Sequence, residues 1–355
     1  MTIRKRRAVM AATIAVVALG AVGGTVALAA TALSGAGSTL AAPVYQQWGS
    51  DLKSKLALQY NPSGSGAGVA ALQAGTVGFA ASDPPLGPAD KAGLKKGAVV
   101  QIPTVLGAIT ISYNLKGVKS GMFLDGPTIA NIYLGKIKKW NDPAIQKLNK
   151  KTKLPNTAIT VVHRSDSSGT TKGFTTFLAA YSPEWKSKVG VDKTVNWPVG
   201  TGAEKNAGVA AAVKQKGGSI GYVEQAYALQ NHFTYANVKN AKGKFIAPTL
   251  PSTSAAATGI VPPKDLGFVA INSNAKGAYP IVSQTFIDAY QDSCAAGTMN
   301  PAEATAFGQF IKYGLSPAGQ KKAQQLSYAG LPPKILAAAN KAAATLKCNG
   351  KSIGA

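Results

Sequence analysis

Residues 158–181 read AITVVHRSDSSGTTKGFTTFLAAY. Ala158–Val162 is a short β-branched run, the composition of a strand. From Gly173 to Tyr181 the apolar residues recur at helical spacing. Between the two runs stand Arg164, Asp166, Ser167, Ser168, Gly169 and Thr170. A strand-to-loop-to-helix junction ends in backbone N–H groups with no intrahelical acceptor and in the positive end of the helix dipole. Asp and Ser there have two readings. They cap the helix, or the loop holds an anion. Strand alternation turns His163 and Arg164 to opposite sides, so His163 reads as structural.

Two more junctions repeat this chemistry. They are Gly35-Ala36-Gly37-Ser38-Thr39-Leu40 and Ser63-Gly64-Ser65-Gly66-Ala67-Gly68. Each follows an apolar run and opens a helical pattern. In GAGSTLAAPVYQQWGSDL the spacing puts Val44, Trp48 and Leu52 on one helix face. Glycine lets an anion approach the backbone, and Ser or Thr adds hydroxyl donors. Three such turns, one with an arginine, favour the anion over capping alone. None is followed by Gly-Lys-Ser/Thr, so none is a nucleotide P-loop. Strands alternating with helices along the chain predict an α/β protein with mostly parallel sheets. With 355 residues and no Pro/Gly-rich linker, two domains would have to be joined by more than one crossing.

The chain holds 14 carboxylates against 38 Lys and Arg, a net charge of +24. Scattered lysines are a solvated face, or a field that attracts phosphate, nucleic acid or an anionic envelope polymer. Two of the scarce carboxylates sit in the turns: Asp166 beside Arg164, and Asp83 in ASDPP. A carboxylate repels an anion unless the anion carries a proton. An ionised Asp only accepts, so it suits a protonated phosphate and leaves sulfate without a partner. Asp166 has a second role open to it, orienting the Arg164 guanidinium. The alternatives are an Asx-turn before proline at Asp83 and an N-cap at Asp166.

Arg4, Lys5, Arg6 and Arg7 precede an apolar stretch that ends at Ala27-Leu28-Ala29. This is the pattern of an export signal, residues 1–30, with an uncleaved anchor as the alternative. No cysteine follows the apolar stretch, so there is no lipobox. In an exported chain, the two cysteines, Cys294 and Cys348, read as one disulfide. The two Cys and two His show no metal-ligand spacing, and no Ser/His/Asp constellation is readable. An enzyme is therefore the weaker class.

GAGSTLAAPVYQQW, GFAASDPPL, LDGPTIANIYLGKIKKWNDPAI, VVHRSDSSGTTKGFTTFL and SIGYVEQAYA together carry a family pattern, from about Gly35 to Leu331. The chain resembles the PstS family, the phosphate-binding proteins of the bacterial high-affinity phosphate ABC importer. The resemblance implies a two-lobe α/β fold of the periplasmic-binding-protein kind (type II), with crossover hinge strands and the ligand clamped between lobes. Expected lobes are 31–105 with 260–355, and 106–259. The resemblance also implies the ligand set: Thr39 and Leu40 through the backbone, Ser65, Asp83 as acceptor for the phosphate proton, Arg164 as charge partner, Asp166 holding it, and Ser168, Gly169 and Thr170 as donors. The implied partners are inorganic phosphate and a membrane permease. No cofactor, metal or nucleic acid is implied, and the protein reads as an exported, extracytoplasmic monomer. A secreted phosphatase and a basic envelope-binding protein are the competing classes.

Overall fold

A computed structural model describes residues 30–83 and 85–355. The expected export signal lies outside the described residues except for Ala30. From the N-terminal side the chain runs β1 (Thr31–Gly37), α1 (Ala42–Asp51), β2 (Leu56–Asn61), α2 (Ser65–Ala74), β3 (Phe79–Ser82) and α3 (Pro88–Gly93). A long strand, β4 (Val99–Asn114), leads into β5 (Phe123–Leu124), α4 (Gly126–Tyr133) and α5 (Pro143–Leu148). Then come β6 (Thr160–Arg164), α6 (Gly169–Tyr181), α7 (Pro183–Lys188), β7 (Thr201–Ala203), α8 (Lys205–Gln215), β8 (Ser219–Glu224) and α9 (Gln225–Gln230). Short strands β9 (Thr234–Tyr235), β10 (Asn237–Lys239) and β11 (Phe245–Ile246) precede α10 (Leu250–Ala257) and the return strand β12 (Val282–Tyr290). Helices α11 (Pro301–Leu315), α12 (Pro317–Gln325) and α13 (Pro333–Ala343) and the hairpin β13 (Lys347–Cys348) and β14 (Lys351–Ser352) finish the fold.

The main sheet has the order β2-β1-β3-β12-β4-β8-β6-β7, with β9 also on β4. Its two wings are parallel: β1 with β2 and β3, and β6 with β7 and β8. The centre is antiparallel, because β12 runs against both β3 and β4, and β8 and β9 run against β4. The expectation of a mostly parallel sheet is therefore corrected to a mixed one. The cause is topological. The sixteen residues of β4 belong to both halves, pairing with β12 through Ala108 and with β8 from Ile109 onward. This is the type II two-lobe architecture with crossing strands. We propose that the first crossing lies at Ala108–Ile109. We place the second near Ile281, whose carbonyl accepts the Ile109 N–H at 2.8 Å. Residues before it still touch the second lobe: Tyr181 donates to Asn272 at 2.7 Å, and Asn240 donates to the Ala278 carbonyl.

Each lobe has its own aromatic core. In the first, Tyr45, Trp48, Phe79, Phe307 and Phe310 stack or meet edge to face, all essentially buried. The Trp48 indole N–H donates to the Gly319 carbonyl at 3.0 Å, so burial leaves no orphan donor. Truncating Phe79 to Ala would lose about 3–5 kcal/mol. In the second lobe Tyr133, Phe174, Trp197 and Tyr222 pack together under β6 and α6. His163 stacks on Trp197 at 4.6 Å, the structural role its alternation suggests. Cys294 and Cys348 form the disulfide, which ties the loop after β12 to the terminal hairpin.

Candidate functional site

The parallel wings place three helix starts, those of α1, α2 and α6, where the two lobes meet. In α6 the N-cap is Ser168, whose Oγ accepts the Thr171 N–H at 3.1 Å. That leaves the Ser168 hydroxyl proton free. The N–H groups of Gly169 and Thr170 lie in the first turn, where the helix offers no acceptor. Gly169 backs directly onto the Asp83 carbonyl of the other lobe, so closely that a Cβ would collide with it. No larger residue fits there with the lobes in contact.

Arg164 is 2% exposed at the end of β6. Its Nε donates to Asp166 Oδ1 at 2.6 Å, and Nη2 pairs with Asp166 Oδ2. Asp166 Oδ1 also accepts the Lys205 N–H at 2.9 Å. Burial pushes the Asp166 carboxyl up. The bonds and charge from Arg164 and the Lys205 N–H outweigh it, and the net shift is downward. Asp166 is thus a guanidinium holder and not the helix N-cap, which is Ser168. Arg164 Nη1 is buried without a partner among the described residues. A buried guanidinium N–H is rarely left so, and this one is the free prong of a fork whose other prongs are fixed.

The first turn is held from behind. Tyr227 donates to the Thr39 carbonyl at 3.0 Å, and Tyr328 donates to the Leu40 carbonyl at 2.6 Å. Thr39 and Leu40 are buried. At the second turn Gly64 has a φ of +96°, which only glycine adopts without strain, and lies against Asp166 and Ser167 of the other lobe. The Gly66 N–H donates to the Ser167 carbonyl. Ser65 Oγ accepts the Asp83 N–H at 3.2 Å.

Asp83 follows β3 and is 1% exposed. Its Oδ2 accepts the Ser38 hydroxyl at 2.6 Å, and Oδ1 accepts the Thr285 hydroxyl at 2.7 Å. Ser65 Oγ lies 3.4 Å from Oδ2. Oδ2 is met by both serine hydroxyls, while Oδ1 keeps a lone pair beyond its bond from Thr285. Desolvation pushes its pKa up to about 6, against the bonds from Ser38, Thr285 and Ser65 and the Arg164 charge.

All nine expected ligand residues therefore converge on one interlobe seam. Sequence reasoning missed four contributors. Ser38 and Thr285 hold Asp83. Asn206, fully buried in the first turn of α8, donates through Nδ2 to Thr39 Oγ1 at 2.9 Å and to Thr170 Oγ1 at 3.4 Å. Lys193 bonds both oxygens of Asp90 across the lobes at 2.8 Å, and its carbonyl accepts the Ser168 N–H. For Asn206 a signal existed, since GAEKNAGV also opens a helix. Thr285 and Lys193 have none, because only tertiary pairing brings them in. A separate cavity of about 820 Å³, lined by Leu86, Val99, Pro262 and Ala338 among others, contains none of these residues. Among the described residues no cluster of three His, Cys, Asp or Glu could hold a metal.

Residues 24–317 match the model of the PBP superfamily domain. The phosphate-binding protein PstS of Xylella fastidiosa is 40% identical over 309 residues, 86% of this chain and 82% of that protein. The chain belongs to the PstS family of phosphate-binding proteins. Haemophilus influenzae PstS is 38% identical, with 86% of this chain and 91% of that protein covered. In fold, the chain is similar to a phosphate-binding protein of Stenotrophomonas maltophilia, with a TM-score of 0.70 and 21% identity over 91% of this chain and 99% of that one. The matched residues 24–317 include elements of both lobes.

Proposed function

We propose that this protein captures inorganic phosphate in the interlobe seam and presents it to the permease of an ABC importer. The reading rests on one observation above the rest: a buried arginine with one free prong faces a buried carboxylate in a seam of hydroxyl and helix-start N–H donors. The donors suit a tetrahedral oxyanion. The carboxylate suits one that still carries a proton.

In this reading Arg164 Nη1, the hydroxyls of Thr39, Ser168 and Thr170, and the N–H groups of Thr39, Leu40, Ser65, Gly169 and Thr170 donate to phosphate oxygens. Asp83 accepts the phosphate O–H. Because Asp166 already balances Arg164, most of the anion's charge is met by fixed dipoles, which need no reorganisation on binding. Sulfate brings no proton near neutral pH, and its oxygen would face the Asp83 lone pair. That unpaired contact is the basis of discrimination. Access requires the lobes to part about the crossing strands, and closure brings Gly169 and Gly64 back onto the opposite lobe. Export of the chain, a monomeric state and the permease contact belong to the same proposal. No helix among the described residues is long and apolar enough to cross a membrane. The PstS relatives are named for binding and not for catalysis.

Isothermal titration of phosphate-stripped protein tests the reading. Phosphate should bind with a micromolar or tighter Kd, about −8 kcal/mol or better, and Arg164→Ala should abolish the heat. No phosphate heat, or turnover of a model phosphate ester lost on mutating the 164–170 loop, would favour another class.

A further inference from the structure

Asn206 fixes the polarity of two hydroxyls from opposite lobes. Its amide orientation is set by an unambiguous donor: the Glu224 backbone N–H bonds Asn206 Oδ1 at 3.0 Å. The Nδ2 group must therefore face the other way, where it meets Thr39 Oγ1 and Thr170 Oγ1. An amide NH2 only donates, so both hydroxyl oxygens are held as acceptors. Each hydroxyl has one proton, and that proton is left to point elsewhere. Both threonines are buried at the seam.

We propose that Asn206 is a specificity-determining positioning residue, which biases the Thr39 and Thr170 hydroxyls to donate toward the bound anion. This rests on the phosphate reading above and deepens it. A lone hydroxyl can rotate to accept from a donor ligand as readily as it donates. Two hydroxyls each already accepting from Nδ2 favour a ligand edge made of acceptors. The same amide also couples this setting to closure. Thr39 precedes α1 in the first lobe, while Thr170 and Asn206 belong to the second, so the Thr39 bond forms only when the lobes meet. The full donor set is then assembled by closing and is incomplete when open.

A double-mutant cycle in phosphate affinity tests this. It uses Asn206→Leu, Thr39→Val, Thr170→Val and the two pairings with Asn206→Leu, read by calorimetry and, for weak variants, by phosphorus NMR into the millimolar range. Asn206→Leu alone should weaken phosphate binding about 30-fold, as expected for misdirected charge-assisted bonds. In either Val background the further loss should shrink at least fivefold, because the hydroxyl it acts through is gone. An equal loss in all backgrounds would overturn the proposal, since a role limited to packing or to the Glu224 N–H does not depend on those hydroxyls. Should Asn206→Leu not fold, Asn206→Asp goes through the same cycle. It keeps an acceptor for the Glu224 N–H, and the cycle subtracts its charge repulsion, which both backgrounds share. Wild-type protein that fails to bind phosphate would sink the functional reading. Wild-type binding without coupling would sink only the role of Asn206.

Discussion

Asp83→Asn should make the ligand-free protein more stable while impairing its selectivity. The carboxyl is buried, and desolvation raises its pKa from 3.8 to about 6. A shift of about two units at about 1.4 kcal/mol per unit is a penalty of about 3 kcal/mol for ionised Asp83 in the fold. The sign follows from the direction. The folded protein binds this proton more tightly than the unfolded chain, so the penalty is absent well below pH 4. It grows as pH rises from about 4 to 6 and is complete above that. An asparagine is neutral throughout and escapes it. Its amide must still meet the hydroxyls of Ser38 and Thr285, and one of them has to turn and accept, which reduces the gain to about 1–3 kcal/mol. Urea unfolding of phosphate-stripped protein at pH 7.5 and pH 4.0 measures this. The variant should be the more stable at pH 7.5, with its advantage about 2 kcal/mol smaller at pH 4.0. An equal difference at both pH values, or a less stable variant at pH 7.5, would refute the reasoning. In calorimetry the same variant should lose less phosphate affinity than Arg164→Ala and begin to bind sulfate.

Other perturbations follow from the same geometry. Arg164→Ala leaves the Asp166 carboxylate without its cationic partner in the seam and removes the free prong, so phosphate affinity should fall by about 3 kcal/mol or more, at least 100-fold, by titration. The Lys193–Asp90 pair spans the lobes at 2.8 Å and is mostly buried, so Lys193→Met should weaken phosphate binding about three- to tenfold by favouring the open form, with sulfate still rejected. An unchanged Kd would show that the pair does not bias closure. The disulfide joins residues 54 apart. Cys294→Ala with Cys348→Ala should lower unfolding stability by about 2–4 kcal/mol and leave phosphate affinity within a factor of two.

The parts of the site legible in the sequence were local ones. Ser168-Gly169-Thr170 at the start of α6 and Arg164 at the end of β6 sit within seven residues, so strand, loop and helix signals locate them together. Glycines of the first two turns mark themselves, since a Cβ would meet the Ala81 backbone at Gly37 and the Ser167 carbonyl at Gly64. What local pattern hides is set by distant pairing. The β4 run reads as a strand, yet nothing in its sequence says that Ala108 and Ile109 serve different lobes. The antiparallel centre of the sheet is invisible for the same reason. Thr285 reaches Asp83 only because β12 pairs with both β3 and β4. Asn206 looks like one more residue at a helix start until β8 brings the Glu224 N–H to its carbonyl.

The claim on which the account turns is that the seam takes a protonated oxyanion and refuses an unprotonated one. Equilibrium dialysis of radiolabelled phosphate against the stripped protein at pH 7.5, with and without a 100-fold excess of sulfate (about −8 kcal/mol or better expected for phosphate), measures it directly. Retention of phosphate should be the same in both chambers. Displacement by sulfate, or no retention at all, would contradict the roles given to Asp83 and Arg164.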